Sequence, residues 1–352
     1  MKSRNLQLLL GLVIAAVALY FTFRGVSFPE IFRNILSLEM RYLPFSVLIF
    51  LLSFVGRAYR WRVLLDAVKP IPVKRLYSPL FIGFMGNLLP LRAGEFIRAF
   101  LLGKREDIAF SASFATVVVE RLFDLLAVLL LFAGLLTFQP DIFVPSSGTQ
   151  DPRVQAAVRS FGFASLGLCL GIIVFCYFLV HQHTGTQRFV GFFTRVLPEG
   201  VQERVQDVLR SFTDGLGVLR DPRGLLFSSL LTVAVWVVIV LGNYPLYYCY
   251  QIQDVLPLSS LGVLVVMIAI AVMIPTPGFV GPFQFAITFV LSDLYGIDRN
   301  VAVSFSLVVW FLQMGLIFLA GLFFIVRDNV SFFEMSRTAK EAKEAAGKPP
   351  PR

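Results

Sequence analysis

Charge is scarce in this chain. Only 15% of its 352 residues are Asp, Glu, Lys or Arg, against 57% hydrophobic with 37 Phe, and the mean hydropathy is +0.77. That balance excludes an ordinary soluble domain. Cysteine is scarcer still. Cys169, Cys176 and Cys249 cannot all pair and none lies in a Cys-x-x-Cys motif, so they read as small packing residues. His181 and His183 are the only histidines, too few for a zinc site, and no metal or cofactor is expected. There is no Gly-x-x-x-x-Gly-Lys-Ser/Thr loop, which removes direct use of ATP by that route.

In place of these features stand apolar runs of about 20 residues, the length that crosses roughly 30 Å of hydrocarbon. An all-α, multi-pass membrane protein follows. Six full spans are expected, near residues 6–23, 42–64, 109–138, 156–181, 223–250 and 300–326. Two more apolar segments, 76–103 and 259–295, are interrupted, one by Pro90 and Gly94, the other by Pro275, Pro277, Gly278, Gly281 and Pro282. Non-helical backbone at membrane depth is tolerated where protein buries it or a cavity lies beside it. Both segments are therefore expected to be re-entrant hairpins, with two short full spans as the alternative. The N-terminus resembles a signal peptide, but its apolar run continues through Tyr20, Phe21 and Phe23, so an uncleaved anchor is expected.

The net charge of +9 does not indicate nucleic acid, because the 31 Lys and Arg lie mostly between apolar runs. There they set orientation and meet anionic headgroups. Lys69, Lys74, Arg75, Lys104, Arg105, the arginines of 182–222 and the basic tail fall on one side if both broken segments re-enter. The expected location is the cytoplasmic membrane with both termini cytoplasmic. The first hairpin then enters from the cytoplasm and the second from outside. The loop after the first span, with Arg24, Arg33 and Arg41, departs mildly from this pattern.

A weak repeat runs at an offset of 187 residues, pairing Pro90 with Pro277, Gly94 with Gly281 and Ala133-Gly134-Leu135 with Ala320-Gly321-Leu322. One transmembrane domain over 1–335 is expected, an inverted repeat of 42–138 and 223–326, an architecture that puts a transporter's site near the midplane. Residues 186–222 are expected to form an amphipathic helix at the cytoplasmic interface. The tail 336–352 reads as disordered.

The informative residues lie where lipid should forbid them. Asn87, Arg92, Glu95 and Arg98 surround the first break, and Glu120, Arg121 and Asp124 lie within the next span. Charges persist in hydrocarbon when paired or facing water, and either case suggests function. Pro90 and Gly94 let the chain break and restart as a helix, whose free N–H groups suit an anion beside Arg92 and Arg98. Glu95 and Arg98, three apart, can pair. Glu120 and Asp124 are one turn apart, so one is protonated or both face cations, with Arg92, Arg98, Arg57, Arg60 and Arg62 as available partners. Arg121 points about 100° away from Glu120 around the helix. A raised carboxylate pKa would permit proton coupling. A buried ion-pair network that only fixes packing stands as an open alternative.

Asn87-x-x-Pro90-x-Arg92-x-Gly94-Glu95-x-x-Arg98 followed by Glu120-Arg121-x-x-Asp124 resembles the flippase-like transmembrane domain of lysyl-phosphatidylglycerol synthases. That domain also occurs alone in uncharacterised prokaryotic membrane proteins. Arg60-Trp61-x-x-Leu64-Leu65 and Pro277-Gly278-x-x-Gly281 fit it too, and the resemblance covers about residues 5 to 330. It implies movement of phospholipids or lipid-linked glycans between leaflets. Asn87, Arg92, Glu95, Arg98 and Arg60 would then bind the anionic headgroup, Glu120, Arg121 and Asp124 would form a charge network, and Pro90, Gly94, Pro275, Pro277, Gly278, Gly281 and Gln284 would form the breaks. Two departures matter. No soluble aminoacyl-transferring domain follows residue 330, so lysyl-lipid synthesis is not expected, and Phe283 and Gln284 stand where a second-half carboxylate would be looked for.

The expected function is a membrane lipid translocase that is not an enzyme, with membrane lipids as partners and a separate lipid synthase or glycosyltransferase as a possible one. The alternatives are a membrane-embedded transferase on a lipid-linked substrate and a non-catalytic partner of a lipid synthase.

Overall fold

The computed structural model describes residues 2–88, 93–138, 156, 160, 162–171 and 217–330. These residues are all-helical, with no strand among them. In chain order the helices are α1 (Lys2–Phe23), α2 (Phe28–Leu36), α3 (Leu43–Leu65), α4 (Val73–Gly86), α5 (Gly94–Glu106), α6 (Phe110–Phe138), α7 (Gly162–Gly171), α8 (Pro222–Leu241), α9 (Tyr244–Cys249), α10 (Ser259–Met273), α11 (Pro282–Thr288) and α12 (Arg299–Arg327). A π-helical turn, Phe289–Leu294, prolongs α11.

Local chemistry sets the helix ends. Prolines stand in the first turn of α2, α3, α8, α9 and α11, where a missing N–H costs nothing. Asp221 caps α8 by accepting from the amides of Arg223 and Gly224, and Asp298 caps α12 by accepting from those of Asn300 and Val301.

Among the described residues, four segments are long and apolar enough to cross a membrane: Met40–Leu65, Phe110–Phe138, Pro222–Cys249 and Arg299–Arg327. The first expected span, 6–23, lies within α1. Its Leu9–Phe23 part joins Phe28–Leu36 across a bend of 81°, and the two together are long and apolar enough to count as one span. The bend comes at Gly25, in the left-handed region at φ +74°, and is pinned by Asn300, which accepts from the Ser27 amide at 2.8 Å and donates to Glu30 at 2.6 Å. Residues 28–36, read from sequence as loop, are thus a docked helix. Of the span expected at 156–181, Gly162–Gly171 is helical and the remainder lies almost wholly outside the described residues. So do the interfacial helix up to residue 216 and the tail 336–352. The described end of the former, Gly217–Arg220, is a 3-10 turn.

Polar contacts gather the connections at two ends of the bundle. One end joins Phe21 to Arg299, Ser27 to Asn300, and Glu39 to Cys249 and Gln251. The other joins Lys69 and Arg75 to Glu106, and Arg105 to Asp328 at 2.8 Å. The start of α4 and the end of α5 therefore lie at the same end. α3 packs along α8, while α12 lies against both α4 and α11. The larger apolar core, around Tyr247, Phe283 and Phe305, surrounds the second break. A smaller one, around Trp61, Leu65 and Leu80, lies under the first.

Candidate functional site

Buried side chains from three helices deliver opposite charges to one point. α3 brings Arg60 and Trp61, α5 brings Arg98, and α6 brings Glu120 and Asp124. Arg60 Nη1 donates to Asp124 Oδ1 at 2.7 Å, and Nη2 donates to Asp124 Oδ2 at 3.2 Å and Glu120 Oε1 at 3.1 Å. Arg98 Nη2 donates to the other Glu120 oxygen at 2.6 Å. The Arg98 guanidinium also lies 3.6 Å from the centre of the Trp61 ring, whose Nε1 donates to Thr116 Oγ1 at 3.1 Å. An arginine stacked on Trp away from water gains about 2 kcal/mol.

Arg121 and Glu95 form the more open side of the cluster. Arg121 reaches Glu120 at 2.6 Å, Asp124 at 3.2 Å and Glu95 at 3.8 Å. Its long side chain curls back over α6, which overturns the expectation that its position turns it away from Glu120. The expected Glu95–Arg98 pair is likewise absent. Arg98 is drawn inward to Glu120, and Glu95 accepts instead from Asn87 at 3.3 Å. Both carboxylates of α6 thus face cations, so their repulsion is offset without a proton. Arg62 is exposed and takes no part.

Some donors have no acceptor among the described residues. There, Arg60 Nε, Arg98 Nε and Arg98 Nη1 are buried without a hydrogen-bond partner, as is the acceptor Asn87 Oδ1. Orphaned buried groups of this kind are rare in native proteins.

Gly94 serves a purpose other than the expected one. Its backbone is ordinary helix, but a Cβ there would overlap the Gly83 carbonyl and come within 2.5 Å of Asn87 Oδ1. It lets α5 press against α4. The second break does use left-handed backbone, at Gly278 (φ +59°) and Gly281 (φ +94°), and a Cβ on Gly281 would meet the Ala15 carbonyl at 2.7 Å. Gln284 Oε1 accepts from the Gly281 amide at 2.8 Å, closing that break on itself. The amide of Gly278 donates to Leu88 O at 3.0 Å, so the breaks touch, and Trp310 Nε1 donates to Gly278 O at 2.8 Å. Pro275 abuts α1 at Gly11, and Pro277 begins the 3-10 turn of the break. Pro90 and Arg92 lie outside the described residues.

Two participants come from α8. Thr232 Oγ1 accepts from Arg60 at 3.1 Å, and Trp236 Nε1 donates to Asp124 at 3.2 Å. Ser228, Thr232 and Trp236 recur every four residues in the mostly apolar α8, a stripe that marks one face.

A family model described as the lysylphosphatidylglycerol synthase TM region matches residues 8–321. Among curated proteins, Glycosyltransferase AglD of Haloferax volcanii is 22% identical over 97% of this chain, and the chain spans 58% of that relative's length. Two UPF0104 membrane proteins of Methanothermobacter thermautotrophicus are also similar. One is 22% identical, covering 73% of this chain and 74% of its own, and the other 23% identical, covering 84% and 88%. No solved structure matches. The expectation of a non-enzyme is corrected by the first of these relatives, which bears a glycosyltransferase's name and aligns with nearly the whole chain.

Proposed function

We propose that this chain, which belongs to the lysylphosphatidylglycerol synthase TM-region family, binds the phosphate-bearing headgroup of a membrane lipid at the Arg60–Arg98–Glu120 cluster and moves that lipid between leaflets. The observation behind the reading is the set of unmatched donors. Among the described residues, Arg60 Nε, Arg98 Nε and Arg98 Nη1 are buried without acceptors beside carboxylates that already hold the other nitrogens. A phosphate oxygen satisfies such donors with strong, charge-assisted bonds.

The architecture supports transport. α4, α5 and α10 have 14, 13 and 15 residues, each short of the roughly 20 needed to span. In the proposed arrangement each broken pair re-enters. The first opens to the cytoplasm, the side of both termini, and the second opens outward. The offset of 187 supports an inverted repeat, because it carries Val73–Gly86 to 260–273, where α10 runs Ser259–Met273. It also carries Phe110–Phe138 to 297–325, beside α12 at Arg299–Arg327. The contact of Gly278 with Leu88 then separates the two openings, and conduction alternates around it.

A second reading, a membrane-embedded transferase acting on a lipid-linked substrate, is favoured by the name of the Haloferax relative. The same arginines would clamp the lipid phosphate in either case. Purified protein in vesicles with a fluorescent anionic lipid tests both, by leaflet exchange and by mass spectrometry of the lipids afterwards. Accelerated exchange of unaltered lipid supports the translocase. A chemically altered lipid without exchange supports the transferase.

A further inference from the structure

Arg57 stands one turn before Arg60 on α3, half-buried, with its guanidinium 5.2 Å from the centre of the Phe84 ring. Phe84 belongs to the last turn of α4, just before the break that begins at Asn87. The other arginines of the cluster each lie within 4 Å of a carboxylate: Arg60 with Glu120 and Asp124, Arg98 with Glu120, and Arg121 with Glu120, Asp124 and Glu95. Among the described residues, Arg57 has no such partner, although Asp124 and Glu120 are within its electrostatic reach.

A guanidinium at this depth, about 12 Å along α3 from its end at Leu65, is costly unless an anion meets it. The carboxylates are not free to do so. Asp124 is held through both oxygens by Arg60 and touched by Trp236 and Arg121, and Glu120 is shared among three guanidinium groups. The described cluster thus has four arginines, Arg57, Arg60, Arg98 and Arg121, and three carboxylates, Glu95, Glu120 and Asp124, and the unmatched cation is its least enclosed α3 member. Its neighbours one turn away on the same face of α3, Ser53, Phe54, Arg60 and Trp61, are buried, so Arg57 is the partly open point on an otherwise closed face.

We propose that Arg57 is the entry contact for a lipid phosphate, meeting it at the partly open edge of the cluster before the unmatched donors of Arg60 and Arg98 take it inward. This rests on the function proposed above and adds the residue that selects an anionic phosphodiester headgroup over a neutral lipid.

The test uses the full chain in nanodiscs containing phosphatidylglycerol and diacylglycerol. Native mass spectrometry should show wild type retaining phosphatidylglycerol, Arg57→Gln retaining about tenfold less at equal thermal stability, and Arg57→Lys recovering part of it. Inorganic phosphate should not displace the retained lipid; displacement would make the ligand free phosphate and overturn the assignment to a headgroup. A headgroup-diazirine phosphatidylglycerol on wild-type protein provides a readout that needs no variant. Its label should fall on α3 within a turn of Arg57. Labelling no greater there than at lipid-facing Phe318 and Leu319 overturns the proposal, as does full retention by Arg57→Gln. Loss of wild-type leaflet exchange with the binding pattern intact would sink the transport reading while leaving this contact standing.

Discussion

The amide of Gly278 donates to the carbonyl of Leu88 at 3.0 Å, joining the break after α10 to the break after α4. The Leu88 carbonyl, past the end of α4, and the Gly278 amide, outside α10, thus satisfy each other. Trp310 completes the junction by donating to the Gly278 carbonyl.

This junction predicts a graded pair of defects. Gly278→Ala forces a side chain into left-handed backbone and should cost about 1–2 kcal/mol. Trp310→Phe removes one donor and should cost about 0.5–1.5 kcal/mol. Thermal unfolding in detergent measures both. In the transport reading, both also alter exchange more than their stability loss explains.

Gly94→Ala should destabilise by about 1–3 kcal/mol, because the added methyl overlaps the Gly83 carbonyl. Gly134→Ala is the matched control on α6. Nothing lies within 4 Å of its Cβ position, so it should be neutral or slightly stabilising. Equal effects in the same unfolding assay would refute the close-approach account.

Glu120 contacts three guanidinium groups, whereas Glu95 makes only longer contacts at the open side. Glu120→Ala leaves the buried Arg98 without a carboxylate partner and should cost about 3–5 kcal/mol. Glu95→Ala should cost about 1 kcal/mol or less. Reversal of that order in chemical unfolding would contradict the network as described.

At the opposite end from the bend, Asp328 accepts from Ser78 and pairs with Arg105 and Arg327. Partial burial alone would raise its carboxyl's pKa, but hydrogen bonds from Ser78, Arg327 and Arg105 outweigh it and hold the group below its usual value of 3.8. A depressed folded-state pKa means the stabilisation is present above pH 3.8 and is lost as pH falls through the lower, folded value. A double-mutant cycle of Arg105→Ala with Asp328→Asn should therefore show coupling at pH 7 that vanishes in strong acid. Coupling unchanged by acid would contradict the assignment.

Much of the charged site was visible in the sequence because ionisable residues stand out in apolar runs. Arg60, Arg98, Glu120, Arg121 and Asp124 converge as polar groups in lipid must. The pairing was not visible. Sequence spacing favoured Glu95 with Arg98, but the tertiary approach of α5 to α6 offered Arg98 the more buried Glu120. Gly94 suggested backbone freedom when its requirement is room, a distinction that depends on where Gly83 comes to lie. The bend into α2 has no local sequence signal because Asn300, some 270 positions away, holds it.

Leaflet exchange of an anionic fluorescent lipid by wild type and Arg98→Lys, in vesicles of equal protein content, tests the central claim most directly. Lysine keeps the charge but loses the planar donor fork that engages Glu120 and presents Nε and Nη1. Accelerated exchange by wild type, reduced at least about tenfold in a folded Arg98→Lys, is the expected result. Exchange that is no faster than in empty vesicles, or that Arg98→Lys leaves untouched, would contradict the account and leave the cluster a structural ion-pair network.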